Sequence, residues 1–252
     1  MTRASVVLLG LARLPYADLD DILAPGPVLV LAPHPDDESL GCGGLIAEAV
    51  ARQRQVHVAI LTDGAMSHTG SVEWPARRLA MQRGAEAREA TATLGVRAER
   101  LHMMGEPDSD APHDGPRFAA ASRRLRSLVS SIGASTVVTS WPVDPHGDHG
   151  SAHELTAATA RELGLRHVAF PVWAWTLADD ADIPDSDVPT MAGAIRGARL
   201  DISAHLPAKR RAIAAHRSQH GLIVDDDPAG FVLPPGFLAL FDRPWEVYLR
   251  MS

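Results

Sequence analysis

The chain has a single cysteine, Cys42, among 252 residues. One thiol excludes a disulfide framework, and it excludes a thiolate-rich zinc or iron–sulfur site as well. Basic residues are the minority: 24 Lys and Arg stand against 31 Asp and Glu, a formal charge of −7. That balance argues against nucleic acid as a partner, because phosphate contacts need a basic face. No apolar run approaches the roughly 18 residues of a membrane span. Val6–Ala12 behind Arg3 is broken by Arg13 and offers no small-x-small cleavage pattern. It is expected to be a packed N-terminal element of a cytoplasmic protein and not a signal peptide. Three catalytic signatures are missing too: the Gly-x-Ser-x-Gly elbow, the Gly-x-x-x-x-Gly-Lys loop and the His-Glu-x-x-His helix.

What the chain does have is 12 histidines and an ordinary core-forming composition, 46 % hydrophobic and 22 % charged. Short β-rich runs alternate with amphipathic stretches. Strands are expected at 28–32, 56–61, 101–104, 136–140 and 167–170. Helices are expected at 43–54, 75–94, 117–131, 151–163 and 206–219, with Gly95 and Gly133 as C-terminal stops. This alternation predicts an α/β fold: a Rossmann-like, mostly parallel sheet with helices on both faces. The acidic, proline-punctuated stretch 178–190 is expected to be a loop, and the segment 225–244 an irregular C-terminal extension. No repeat or linker divides the chain, so residues 1–252 are expected to be a single domain.

Two loops concentrate imidazole and carboxylate directly after expected strands. Pro33-His34-Pro35-Asp36-Asp37-Glu38 follows the first strand, and Asp144-Pro145-His146-Gly147-Asp148-His149 follows 136–140. Carboxyl ends of parallel strands share one edge, which is where open α/β sheets bind ligands. Three adjacent carboxylates there repel one another and lose hydration, and a bound cation offsets both costs. Neutral imidazole with carboxylate is a usual zinc ligand set that leaves positions open for water. A metal site is therefore expected, although Asp37, Glu38 or Ser39 also suit a plain helix cap.

Ala32-Pro33-His34-Pro35-Asp36-Asp37-Glu38 resembles the signature of the PIG-L (LmbE-like) zinc-dependent N-deacetylases, with Pro33 inserted where most members read Ala-His. The second family motif, His-Pro-Asp-His, appears as His146-Gly147-Asp148-His149, with Gly147 in place of proline. Thr62-Asp63-Gly64, Arg83-x-x-Glu86 with Leu94-Gly95, Phe170-Pro171-Val172-Trp173 and Lys209 with His216-Arg217-Ser218-Gln219 extend the similarity over about residues 28–220. The resemblance implies zinc held by His34, Asp37 and His149. It implies Asp36 as general base and acid, His146 as oxyanion stabiliser, Asp148 as a carboxylate tuning a neighbouring imidazole, and Arg83 as a grip on substrate hydroxyls. It further implies removal of an N-acetyl group from a glucosamine-type sugar conjugate.

Other residues admit blander readings. His153 reads as a helix-surface residue or a substrate contact, and His68 as a loop residue that reaches the crevice or is solvated. Trp173 and Trp175 suit the core or a sugar ring. Lys209, Arg210, Arg211 and Arg217 read as a solvated basic helix face. Two rival functions remain: a dinucleotide-binding oxidoreductase built on Gly41-Cys42-Gly43-Gly44, and a non-catalytic metal-dependent sugar-binding module. Position 46 is Ile where the dinucleotide fingerprint wants glycine. The loops 105–116 and 178–195 are expected to shape the rest of the substrate site.

Overall fold

In the computed structural model, which describes residues 1–251, the five expected strands lie side by side. They are β1 (Val28–Ala32), β2 (Val56–Thr62), β3 (Leu101–Glu106), β4 (Thr136–Ser140) and β5 (Arg166–Phe170). Each pairs in parallel with its neighbours in the order β3-β2-β1-β4-β5. Every residue of β1 and β4 is buried, as interior strands covered on both faces require.

Strand alternation then divides the core. Val28, Val30 and Ala32 point into one hydrophobic cluster, shared with helices α2 (Asp37–Ala51) and α3 (Ala76–Thr93). Leu29 and Leu31 point into the other, against α4 (Gly115–Ile132) and α5 (Gly147–Leu163). The N-terminal helix α1 (Ala4–Ala12) packs Ala4, Val7 and Leu11 against Trp141, Val247 and Leu249. Among the described residues no helix is long and apolar enough to cross a membrane.

The topology fixes where a ligand can sit. From β1 the chain runs through α2 to β2 on one side; from β4 it runs through α5 to β5 on the other. The loops after β1 and β4 therefore part at a topological switch point, and a crevice opens between them. Both histidine-bearing loops are those loops.

The structure departs from the sequence expectations at several ends. Helix α2 begins at Asp37, six residues early, and bends at Cys42, whose φ of −143° and ψ of 22° are not helical. Helix α5 begins at Gly147, four residues early, because the His146 side chain caps it by accepting the Asp148 backbone N–H at 3.2 Å. Pro is at home at a first helical position, so Gly147 replaces it without moving the helix start. The last expected helix stops sooner: α6 spans Leu206–Ala215, and Arg217–His220 form a separate turn. Residues 178–195 are not plain loop. Asp182–Ile183 pairs with Thr2–Arg3, and Thr190–Met191 pairs with Ala194–Ile195.

Two further strands lie where none was expected. β6 (Gly197–Asp201) and β7 (Trp245–Arg250) add antiparallel to the β5 edge, giving a seven-stranded sheet. β7 escapes a simple pattern because it is buried on both faces and carries Glu246 inside. That carboxylate accepts Lys209 Nζ at 2.7 Å, Tyr248 Oη at 2.6 Å, and the backbone N–H groups of Gly44 and Leu45 at 2.8 Å each. The bend in α2 frees those two N–H groups, and Glu246 caps them. Lys209 is thus not on a solvated face; it is 2 % exposed and paired.

Breaking such a pair on one side leaves an uncompensated buried charge. Glu246→Ala is expected to destabilise the protein by about 3–5 kcal/mol, read as a lower urea midpoint at unchanged slope. Glu246→Gln, which keeps acceptor and shape, should cost less. Equal stability of the wild type and Glu246→Ala would show that the pair contributes nothing.

Candidate active site

Seven residues were singled out by the sequence, and the structure brings all seven together in and behind one cleft of about 290 Å³. His34, Asp36, Asp37, Arg83 and His146 line it. His149 and Asp148 sit behind the lining, buried in the first turn of α5.

Asp37 is the meeting point. Its Oδ2 lies 3.2 Å from His34 Nδ1 and 3.2 Å from His149 Nε2. Each imidazole is anchored by its other nitrogen: His149 Nδ1 lies 2.8 Å from Asp144 Oδ2, and His34 Nε2 lies 3.0 Å from Asp148 Oδ2 and 3.3 Å from Asp108 Oδ1. Carboxylates behind imidazoles fix the ring orientation and leave the inner nitrogen free for a cation. His149 Nε2 is fully buried and makes no hydrogen bond, with the Asp37 carboxylate 3.2 Å away as its nearest charged neighbour. Two nitrogen donors and one carboxylate oxygen converging on such a point fit a divalent cation.

Two sets of donor atoms lie close enough together to hold one ion, His34 with His146 and His149, and His34 with Asp108 and Asp148; Asp37 adjoins the first of them through both His34 and His149. The Asp148 oxygens are already engaged by the backbone N–H groups of Ser109 at 2.7 Å and Ala111 at 3.0 Å. Asp37 Oδ2 accepts one backbone N–H, that of His34 at 3.0 Å, and is the oxygen that both His34 and His149 approach.

Electrostatics agree. Burial alone would lower His149, but Asp37 and Asp144 outweigh it and carry its pKa up to about 9. Burial likewise opposes a charge on His34, and Asp108, Asp148 and Asp37 push it well above the imidazole range. Carboxylates that hold a proton so firmly attract a cation to the same place.

The run Asp36-Asp37-Glu38 is tolerated because each carboxylate has its own partner. Asp37 and Glu38 occupy the first turn of α2, where the helix dipole favours negative charge. Glu38 meets His216, and Asp36 meets Arg83 Nη2 at 3.1 Å. Burial raises the Asp36 pKa to about 6 against the opposing pull of Arg83, which suits a group that takes and returns protons near neutrality. Its backbone has φ +152° and ψ −28°, a strained setting for a residue with a side chain, costing on the order of 1–3 kcal/mol.

Arg83 is more engaged than a free substrate grip would be. Nη1 donates to Gly64 O at 2.9 Å, while Nη2 donates to Pro35 O at 2.9 Å and to Asp36. Only its Nε is without a partner. His146 accepts a backbone N–H at Nδ1, leaving Nε2 as its free nitrogen. Burial, helped by His34 and His149, lowers its pKa, which favours the neutral ring over the cation. The Asp148 carboxylate contacts His34 Nε2 at 3.0 Å, while its charge also opposes the lowering of the His146 pKa.

Several site residues were not singled out by the sequence. Asp144 and Asp108 stand behind the imidazoles; Asp144 also accepts the N–H groups of Val172 and Ala174, tying the β5 loop to the site. Asp144 belongs to the second motif loop, so its nearness was a usable signal; Asp108 offered none. Ser67, Gln219, Phe231 and Leu233 join Asp108, Ser109 and Trp173 along the cleft. The loop 105–116 thus contributes as expected, whereas 178–195 contributes no lining residue. Trp173 both lines the cleft and stacks on Phe237 at 4.1 Å. His68 is buried against Gly230, and His153 packs on His167 at 5.0 Å; neither reaches the cleft.

The glycines of the rival dinucleotide motif are committed elsewhere. A Cβ at Gly41 would lie 2.1 Å from the Phe170 ring, and one at Gly44 would lie 2.4 Å from Ile202. They let α2 press against its neighbours, with no face turned to a pyrophosphate.

A crevice at the switch point of a parallel sheet, with paired imidazoles, a converging carboxylate and a second carboxylate of raised pKa, has the groups that a metal-assisted hydrolase uses. The family model described as PIG-L, GlcNAc-PI de-N-acetylase, matches residues 29–160. The chain belongs to the PIG-L family of hydrolytic N-deacetylases. It is 31 % identical to a 1D-myo-inositol 2-acetamido-2-deoxy-alpha-D-glucopyranoside deacetylase from Actinosynnema mirum, over 83 % of this chain and 85 % of that one. It is 30 % identical to the protein of the same name from Mycolicibacterium vanbaalenii, over 88 % and 89 %. Among solved structures, the A40926 pseudoaglycone deacetylase superposes with a TM-score of 0.67 at 19 % identity, over 88 % of this chain and 96 % of that one, a likeness of fold.

Proposed function

We propose that this chain is a mononuclear zinc enzyme that removes the N-acetyl group of a glucosamine-type sugar conjugate, releasing acetate and a free amine. The observation that carries this is the convergence of His34 Nδ1, Asp37 Oδ2 and His149 Nε2 beside Asp36 in the switch-point crevice. Zinc held by those three groups would supply Lewis acidity toward an acyl oxygen and toward water.

The protein's own groups do the rest. Asp36 takes one proton of the attacking water and passes it to the departing nitrogen; the water's second proton leaves with the acyl product and passes to the amine or to solvent, so that acetate and an ammonium group balance. His146 donates from Nε2 to the oxygen that becomes negative in the tetrahedral intermediate, a contribution of roughly 3–4 kcal/mol at comparable sites. Arg83, which lines the cleft, holds the Asp36 carboxylate in line and is the residue we assign to a sugar hydroxyl. The sugar class is supported by the relatives' named substrate, a 2-acetamido-2-deoxy-glucopyranoside of inositol.

The test is a release assay. Zinc-loaded protein is offered a panel of N-acetylglucosamine conjugates, N-acetylglucosaminyl-inositol among them, and primary amine is measured. Release from at least one member, absent with Asp36→Ala, is expected. No release from any of them would overturn the proposal.

A further inference from the structure

Glu38 and His216 are 178 positions apart in sequence and meet directly behind the cleft. His216 Nε2 lies 3.0 Å from Glu38 Oε1, and Ser39 Oγ donates to the same oxygen at 2.7 Å. The other oxygen, Glu38 Oε2, accepts the backbone N–H of Asp36 at 3.0 Å. Both side chains are fully buried, and neither lines the cleft.

Asp36 is thus pinned twice. Arg83 holds its carboxylate, and Glu38 holds its main chain in the strained φ +152° setting. His216 is itself fixed from the other side, since the turn that follows it docks on α3: Glu86 accepts the Ser218 N–H at 2.9 Å and Ser218 Oγ at 2.6 Å. The chain of contacts runs from α3 through the 216–219 turn to the backbone of Asp36.

We infer that His216 is a positioning residue for Asp36: through Glu38 it fixes the Asp36 main chain and so aims the Asp36 carboxylate at the reacting centre. A neutral replacement leaves the buried Glu38 carboxylate short of a donor, and it turns toward other partners. The Asp36 N–H then loses its acceptor, and a small misplacement of a catalytic group costs far more in rate than in stability. This inference rests on Asp36 acting as the base.

The experiment compares zinc-loaded wild type with His216→Leu, His216→Asn and His216→Gln. It measures acetate release, zinc stoichiometry and hydrogen exchange at the Asp36 amide. His216→Leu should lose about 10- to 100-fold in kcat, a usual cost of removing an orienting partner, with KM and one zinc per chain unchanged. Its Asp36 amide should exchange faster than in the wild type. His216→Gln, long enough to donate to Glu38, should recover most of both; His216→Asn, too short, should not, and it serves where the Leu variant does not fold. Wild-type kcat and protection in His216→Leu would overturn the inference, and so would a rate loss that merely follows lost zinc or lost folded protein. If the wild type itself released no acetate, the deacetylase proposal would fall, while Asp36 exchange would still decide whether His216 holds that backbone.

Discussion

Asparagine at position 36 is expected to lower kcat by about 10²–10⁴-fold, the range for loss of a positioned general base, while zinc still binds one per chain. Asp36 contributes nothing to the converging donor set, so its replacement leaves His34, Asp37 and His149 in place. The amide keeps the shape of the side chain, and a carbonyl oxygen can still accept from Arg83. What disappears is the proton acceptor. KM should therefore change little, because the interaction lost belongs to the transition state. Retained turnover in a preparation of verified composition would remove Asp36 from the mechanism.

Removing His149 should act by a different route. His149→Ala deletes one of two imidazole donors and leaves Asp37 and Asp144 as buried carboxylates without their common partner. Zinc affinity should fall by well over the roughly 10–100-fold that follows loss of an outer hydrogen-bond partner alone. Asp144→Asn provides that milder case, since it disturbs only the group behind the ring. Equilibrium dialysis against a zinc buffer separates the three proteins. Full occupancy of His149→Ala under conditions that load the wild type would place the cation elsewhere, with the His34, Asp108 and Asp148 grouping as the alternative.

The site was legible where chemistry is written in consecutive residues. Two motif loops after two β-rich runs carried six titratable residues, His34, Asp36, Asp37, His146, Asp148 and His149, in and behind one crevice. The parallel sheet was legible for the same reason: β1, β2 and β4 are short apolar runs closed by turn residues. The residues that hold those groups were hidden, because their contacts are long-range. Asp108 reaches His34 across the sheet edge, and His216 reaches Glu38 from the far end of the chain. Lys209 and Glu246 were misread or unread, since a charged residue in a strand or helix looks solvated until its partner is known. Helix starts failed for a local reason: α2 and α5 open on Asp36 and His146, functional residues whose side chains or strained backbones take the place of an ordinary cap.

The most direct test is a titration of metal-free protein with zinc, following acetate release from an N-acetylglucosaminyl substrate at each addition. One cation site formed by His34, Asp37 and His149 predicts no release without zinc, a linear rise, and a break at one equivalent per chain. Release that is independent of zinc, or a break at two equivalents, would contradict it.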